Sequence, residues 1–121
     1  MARILVIDDE SSVRTMLQEV LADRGHSVAV AADGRSGIAL AREQDAQIIL
    51  LDLNMPGMDG IETLAQIRAA LPRAAVIVIS GAGDEARARQ ALSLGAEDYI
   101  EKPLDLVYLE QVLLLKIATL S

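Results

Sequence analysis

Four groups of reactive side chains each follow a short apolar run: Asp8-Asp9-Glu10, Asp52, Ser80-Gly81 and Glu101-Lys102-Pro103. If those runs are parallel strands of one sheet, their carboxyl ends share an edge, and the reactive groups meet there. Carboxylates crowded within several ångströms raise one another's pKa unless a cation sits among them. Oxygen ligands with no His or Cys nearby select a hard ion. Mg²⁺ is the expected one, held by one or two carboxylates, waters and a phosphate oxygen. A hydroxyl from Ser80 and an ammonium from Lys102 complete a set suited to phosphoryl transfer, in which a carboxylate attacks while Mg²⁺ and Lys102 take up charge on the equatorial oxygens.

Each group also has a plainer reading. Asp8-Asp9-Glu10 suits a helix N-terminus, where negative charge is favoured. A lysine at a strand end is commonly a solvated charge, and a serine before Gly-Ala-Gly commonly serves a turn. The carboxylate at Asp52, on a neighbouring strand end, shifts the balance toward a metal site.

Runs rich in β-branched residues at Ile4–Ile7, Val28–Ala31, Ile48–Leu51 and Val76–Ile79, with a weaker one at Tyr99–Ile100, read as strands. Helix-period stretches lie between and after them: Ser12–Arg24, Arg35–Glu43, Gly60–Ala70, Glu85–Leu94 and Leu106–Leu120. Ser11 or Glu10, Asp84 and Asp105 stand where a side-chain oxygen can cap a helix, and Gly25 and Gly95 stand where helices close. Strict alternation of strand and helix predicts an α/β fold with a parallel sheet and right-handed crossovers. Five such units suit a flavodoxin-like (βα)5 doubly wound sheet of order 2-1-3-4-5, whose ligand crevice lies between the carboxyl ends of strands 1 and 3.

Composition narrows the function. With 121 residues, a formal net charge of −7 and no cysteine, the chain reads as one domain over residues 1–121, without disulfides or thiolate metal sites. Its acidic balance, with Lys102 and Lys116 the only lysines, opposes direct binding to nucleic acid. No apolar run approaches the ~18 residues of a membrane span, and Met1-Ala2-Arg3-Ile4-Leu5 leads straight into strand sequence. Those features predict a cytoplasmic protein with no membrane contact.

Taken together, Ile7-Asp8-Asp9-Glu10, Asp52-Leu53-Asn54-Met55-Pro56-Gly57-Met58-Asp59-Gly60, Ser80-Gly81 and Tyr99-Ile100-Glu101-Lys102-Pro103 resemble the receiver domain of bacterial two-component response regulators, over essentially the whole chain. The resemblance implies that Asp52 accepts a phosphoryl group from a histidine kinase, a phosphotransfer protein or a small phosphodonor. It implies direct Mg²⁺ ligation by Asp9 and Asp52, ligation through water by Asp8, and a contribution from the Asn54 backbone carbonyl. Lys102 and Ser80 would contact phosphoryl oxygens, Tyr99 would be the switch aromatic, and the Lys102–Pro103 peptide would be cis. Leu104 stands where the family often has phenylalanine, a difference that concerns the output surface more than the chemistry.

Other features have structural readings. Met55-Pro56-Gly57-Met58 reads as a loop packed over the site, and His26 reads as an exposed turn residue. In the last helix Val107 and Leu114 fall beside Glu110 on the face expected to meet water. That excess of apolar surface implies either a homodimer or partner contact through the fourth helix, fifth strand and fifth helix, or an output domain covering the last helix. Two other functions use similar parts. An FMN module of the same architecture is opposed by the acids after the first strand, which would repel the FMN phosphate. A Mg²⁺-dependent phosphatase with an aspartyl-phosphate intermediate is opposed by the lack of a substrate-holding insertion. A receiver that has lost its chemistry is opposed by the presence of every expected site residue, and a P-loop by the absence of its motif.

Overall fold

A computed structural model describes residues 1–120. The chain alternates β1 (Arg3–Ile7), α1 (Ser11–Asp23), β2 (Ser27–Ala31), α2 (Gly34–Gln44), β3 (Ile48–Asp52), α3 (Gly60–Ala70), β4 (Ala75–Ser80), α4 (Glu85–Ser93), β5 (Asp98–Glu101) and α5 (Leu106–Ala118). All neighbouring strands pair in parallel, in the order β2-β1-β3-β4-β5. The doubly wound sheet expected from the sequence is therefore the fold. β3 and β4 are buried along their whole length, which is why they read as unbroken apolar runs.

Side chains alternate between two apolar layers, as the period of a strand requires. Leu5, Ile7, Ile49, Leu51, Val76 and Val78 face one layer, shared with Ile38 and Ala41 of α2, Leu64 and Ile67 of α3 and Ala91 of α4. Ile4, Val6, Ile48, Leu50, Ile77 and Ile79 face the other, shared with Leu17 and Leu21 of α1 and Leu109, Val112 and Leu113 of α5. Each fully buried aliphatic side chain contributes roughly 1.5–3 kcal/mol. The two layers thus fix the sheet rigidly beneath its carboxyl edge.

Helix ends follow the sequence in part. The Asp105 carboxylate accepts from the amides of Val107 and Tyr108, and Gly25 and Gly95 take positive φ after α1 and α4. Glu10 and Asp84 occupy N-cap positions but make no side-chain capping bond. Both are drawn elsewhere by cations: Glu10 to Lys102 at 3.1 Å, and Asp84 toward Arg87 at 3.7 Å. α2 closes on Asp45 in the left-handed region at φ 49°, a role more often taken by glycine. α5 stops at Ala118 rather than Leu120.

His26 departs from the sequence expectation. It is half-buried, and its Nδ1 accepts from the Ala2 amide at 3.1 Å. Burial and then the N-terminal charge hold its pKa below the ordinary 6.5. Met55 is buried and Met58 partly buried against the α2–α3 layer, as expected for a packed loop. Gly60 permits that loop to close: a Cβ there would lie 2.5 Å from the Leu53 Cα.

Candidate functional site

The carboxyl edge of the sheet brings the expected groups together. Asp8 follows β1, and its amide still donates to Ala31 of β2 at 3.1 Å. Asp52 is the last residue of β3, in register with Ile79 of β4. Ser80 closes β4 beside Glu101 of β5, and its carbonyl accepts the Lys102 amide at 2.8 Å. These backbone bonds seat all the groups on adjacent strand ends without any help from side chains.

Asp8 and Asp52 are both wholly buried, although carboxylates rarely are. Asp52 uses both oxygens: Oδ1 accepts the Asn54 amide at 2.9 Å, and Oδ2 accepts Lys102 Nζ at 3.0 Å. Lys102 also donates to Glu10 Oε1 at 3.1 Å. Asp8 Oδ1 accepts the Glu10 amide at 2.9 Å. Its Oδ2 has no hydrogen-bond partner, and the Lys102 ammonium is 3.7 Å away. The Lys102–Pro103 peptide is cis, as expected.

The electrostatics are those of an acidic crevice with one cation. Burial, with the Asp52 charge adding to it, raises Asp8 to about 6, against the opposing effects of the Glu10 amide and Lys102. Burial alone would lower the Lys102 pKa. Hydrogen bonds to Asp52 and Glu10, with the charges of Asp52 and Asp8, outweigh it and hold the ammonium above its ordinary value. Lys102 is therefore charged at neutral pH. A single ammonium nevertheless leaves the acids undercompensated.

Asp8, Asp9 and Asp52 each offer an oxygen within 4.8 Å of the others. Together with the unpartnered Asp8 Oδ2, this is the donor set a hard divalent cation requires. The exposed Asp9 gives the cluster an open side. Ser80 is buried at the adjacent strand end, and Tyr99 is half-buried on β5 opposite Val78, against the layer shared with α2, α3 and α4.

One contributor escaped the sequence reading. Arg87 of α4 donates through Nη1 to Asn54 Oδ1 at 2.8 Å and through Nη2 to the Leu53 carbonyl at 3.0 Å, and it also meets the Asp59 carboxylate. The only local signal was Asp84 three residues earlier. The loop carrying Asn54 is distant in sequence.

An open parallel sheet with a ring of acids and a lysine at the first switch point defines a class of doubly wound domains with a polar crevice. Within it, the chain belongs to the response regulator receiver domain family, whose model matches residues 4–114. It is 41% identical over 110 residues to the transcriptional regulatory protein ZraR of Escherichia coli, covering 91% of this chain and 25% of that protein. It is 35% identical over 102 residues to the chemotaxis protein CheY of Thermotoga maritima, covering 84% of this chain and 85% of CheY. The crystal structure of the receiver domain of NtrX from Brucella abortus superposes with a TM-score of 0.91 at 34% identity, covering 97% of this chain and 99% of that one. The chain thus spans about a quarter of the length of ZraR and most of CheY. The flavin and phosphatase readings give way to this membership.

Proposed function

We propose that this receiver domain accepts a phosphoryl group on Asp52 in a Mg²⁺-dependent reaction and passes the signal on by changing conformation. The observation that carries the reading is the contact of Lys102 Nζ with Asp52 Oδ2 at 3.0 Å, beside a buried and unpartnered Asp8 oxygen. Asp9 and Asp52 would hold Mg²⁺ directly, Asp8 through water, and Asn54 through its backbone carbonyl. The bound ion supplies positive charge against the phosphoryl oxygens.

Asp52 acts as the nucleophile. One of its oxygens bonds to phosphorus as the bond from phosphorus to the donor breaks, and the electron pair leaves with the donor. The donor is the phosphohistidine of a sensor kinase or phosphotransfer protein, or a small acyl phosphate. Its nitrogen or carboxylate departs, and the phosphorylated carboxyl remains on β3. Lys102, already charged, exchanges its contact with the free carboxylate for one with a phosphoryl oxygen, so its charge is in place before transfer begins. Asp8 keeps the edge of the pocket acidic and positions Glu10 by accepting its backbone N–H at 2.9 Å.

Phosphorylation adds roughly two negative charges and several acceptors to the crevice. Ser80, buried at the adjacent strand end, would bond one of those oxygens. The loop beyond it, with Gly83 at φ 86°, can rearrange at little steric cost, and Tyr99 follows as the pocket beside it changes. Two pre-existing conformations biased by the new contacts are sufficient for signalling. The output passes through α4, β5 and α5 to a second copy, a partner or an output domain. Exposed Leu92, Leu94, Val107 and Tyr108 give that side apolar surface. The domain catalyses its own modification in the cytoplasm, without turning over a metabolite and without itself touching nucleic acid. Among the described residues, no helix is long and apolar enough to cross a membrane.

Incubation with acetyl phosphate, followed by intact mass measurement with and without Mg²⁺, tests the reading. One phosphoryl group is expected on the wild type with Mg²⁺, and none on Asp52→Ala. Equal modification of the two proteins would overturn it.

A further inference from the structure

Asn54 lies two residues beyond Asp52 and is exposed, yet its carboxamide is held by a cation. Arginine carries donors only, so the group it meets on Asn54 must be the oxygen, and Nη1 holds Oδ1 at 2.8 Å. The amide end then faces the β4–α4 loop, where Nδ2 is 3.4 Å from the position a Cβ on Gly81 would occupy. The same guanidinium grips the Leu53 carbonyl at 3.0 Å and the Asp59 carboxylate at the start of α3. It therefore ties both residues after the phosphoacceptor to α4. Arg87 is itself half-buried and rooted one turn into that helix.

This arrangement matters for the reverse reaction, and the inference rests on the phosphoacceptor reading above. In hydrolysis a water oxygen bonds to phosphorus while the bond from phosphorus to the Asp52 oxygen breaks. The electron pair returns to the carboxylate, and the water protons pass to phosphate and solvent. An attacking water is oriented by an acceptor that takes one of its hydrogen bonds. Asn54 Oδ1 is such an acceptor, and the Arg87 bond takes one of its two lone pairs and fixes it facing α4.

We infer that Arg87 is a positioning residue that keeps the Asn54 carbonyl oxygen turned toward α4 and away from the attacking water, prolonging the phosphorylated state for as long as α4 stays in place. Movement of α4 during signalling, or a partner bound to that helix, thereby alters the phosphoryl lifetime through a named contact.

Two measurements test this. In the first, proteins phosphorylated with acetyl phosphate are freed of donor and followed by release of inorganic phosphate. Arg87→Ala is expected to lose its phosphoryl group about three- to tenfold faster than wild type, the scale one neutral hydrogen bond supports. Arg87→Lys, which keeps a cationic donor nitrogen but loses the planar fork, is expected to fall between. In an Asn54→Ala background, Arg87→Ala should change the rate no further. An unchanged or slower rate, or the same acceleration without the Asn54 side chain, would overturn the inference.

The second measurement needs no phosphoryl group. Nitrogen relaxation of the Asn54 carboxamide is expected to report a side chain ordered like the backbone in wild type and mobile in Arg87→Ala. Equal order in both would overturn the inference. Failure of wild type to be phosphorylated at all would instead sink the reading of Asp52, leaving the relaxation result to decide the role of Arg87.

Discussion

Replacing Asp8 by asparagine should stabilise the metal-free domain, although it deletes a site residue. Asp8 is wholly buried, its Oδ2 lacks a partner, and the equally buried Asp52 shares the single nearby ammonium. Its pKa accordingly rises from 3.8 to about 6. The folded protein binds this proton more tightly than the unfolded chain. The stability that comes with the proton is fully present below 3.8 and is lost as pH rises through about 6. At roughly 1.36 kcal/mol per pKa unit, the ionised group costs on the order of 2–3 kcal/mol at neutral pH and above. A carboxamide keeps the acceptor for the Glu10 amide and carries no charge. Asp8→Asn should then gain about 1–3 kcal/mol in chelator, or about 4 °C in melting temperature per kcal/mol for a domain of this size. The assay is urea denaturation of both proteins across the pH range. The gap should be widest well above pH 6 and should close toward 3.8. Mg²⁺ should stabilise the wild type more than the variant, because binding to the native state adds to its stability. A variant less stable at alkaline pH, or a gap that widens in acid, would refute the reasoning.

Other perturbations have defined outcomes. His26 has its pKa depressed by burial and the N-terminal charge, so its contribution is present above 6.5 and lost as pH falls through the lowered value. His26→Gln, which can still accept the Ala2 amide, should flatten the acid limb of a melting-temperature profile; equal acid sensitivity would contradict the assignment. Gly60→Ala places a methyl 2.5 Å from the Leu53 Cα and 2.7 Å from its carbonyl oxygen, where only backbone can give way. It should cost roughly 1–3 kcal/mol in denaturant titration and slow phosphorylation by shifting the loop beyond Asp52. Unchanged stability and rate would show that the loop absorbs the clash.

Most of the architecture is legible in the sequence because burial on both faces leaves a continuous apolar signature at Ile48–Leu51 and Val76–Ile79, and strand ends announce themselves by sudden polarity at Asp8, Asp52 and Ser80. The topology then makes those ends meet, so the crevice follows from element order alone. β5 is a faint signal because only Ile100 of its four residues is fully buried. Side-chain partners are less legible, since a cap and an ion pair compete for the same carboxylate. Glu10 and Asp84 occupy N-cap positions, yet each is drawn by a cation, Asp84 by Arg87 three residues on and Glu10 by one whose location depends on the fold. Glu10 meets a lysine 92 positions away. His26 likewise looks like a turn residue until the neighbouring N-terminal segment brings the Ala2 amide to it. Arg87 is hidden most completely: its contacts with Asn54 and Leu53 span 33 and 34 positions, and nothing in the local pattern of α4 separates it from Arg89, which is exposed.

A crystal structure of the domain with Mg²⁺ and beryllofluoride, a stable mimic of the phosphoryl group, tests the central claim most directly. The account predicts beryllium bonded to the Asp52 carboxylate, the cation held by Asp9 and Asp52, and Lys102 Nζ and the Ser80 hydroxyl on fluorine atoms. A mimic seated on any other residue, or a cation bound away from these aspartates, would contradict it.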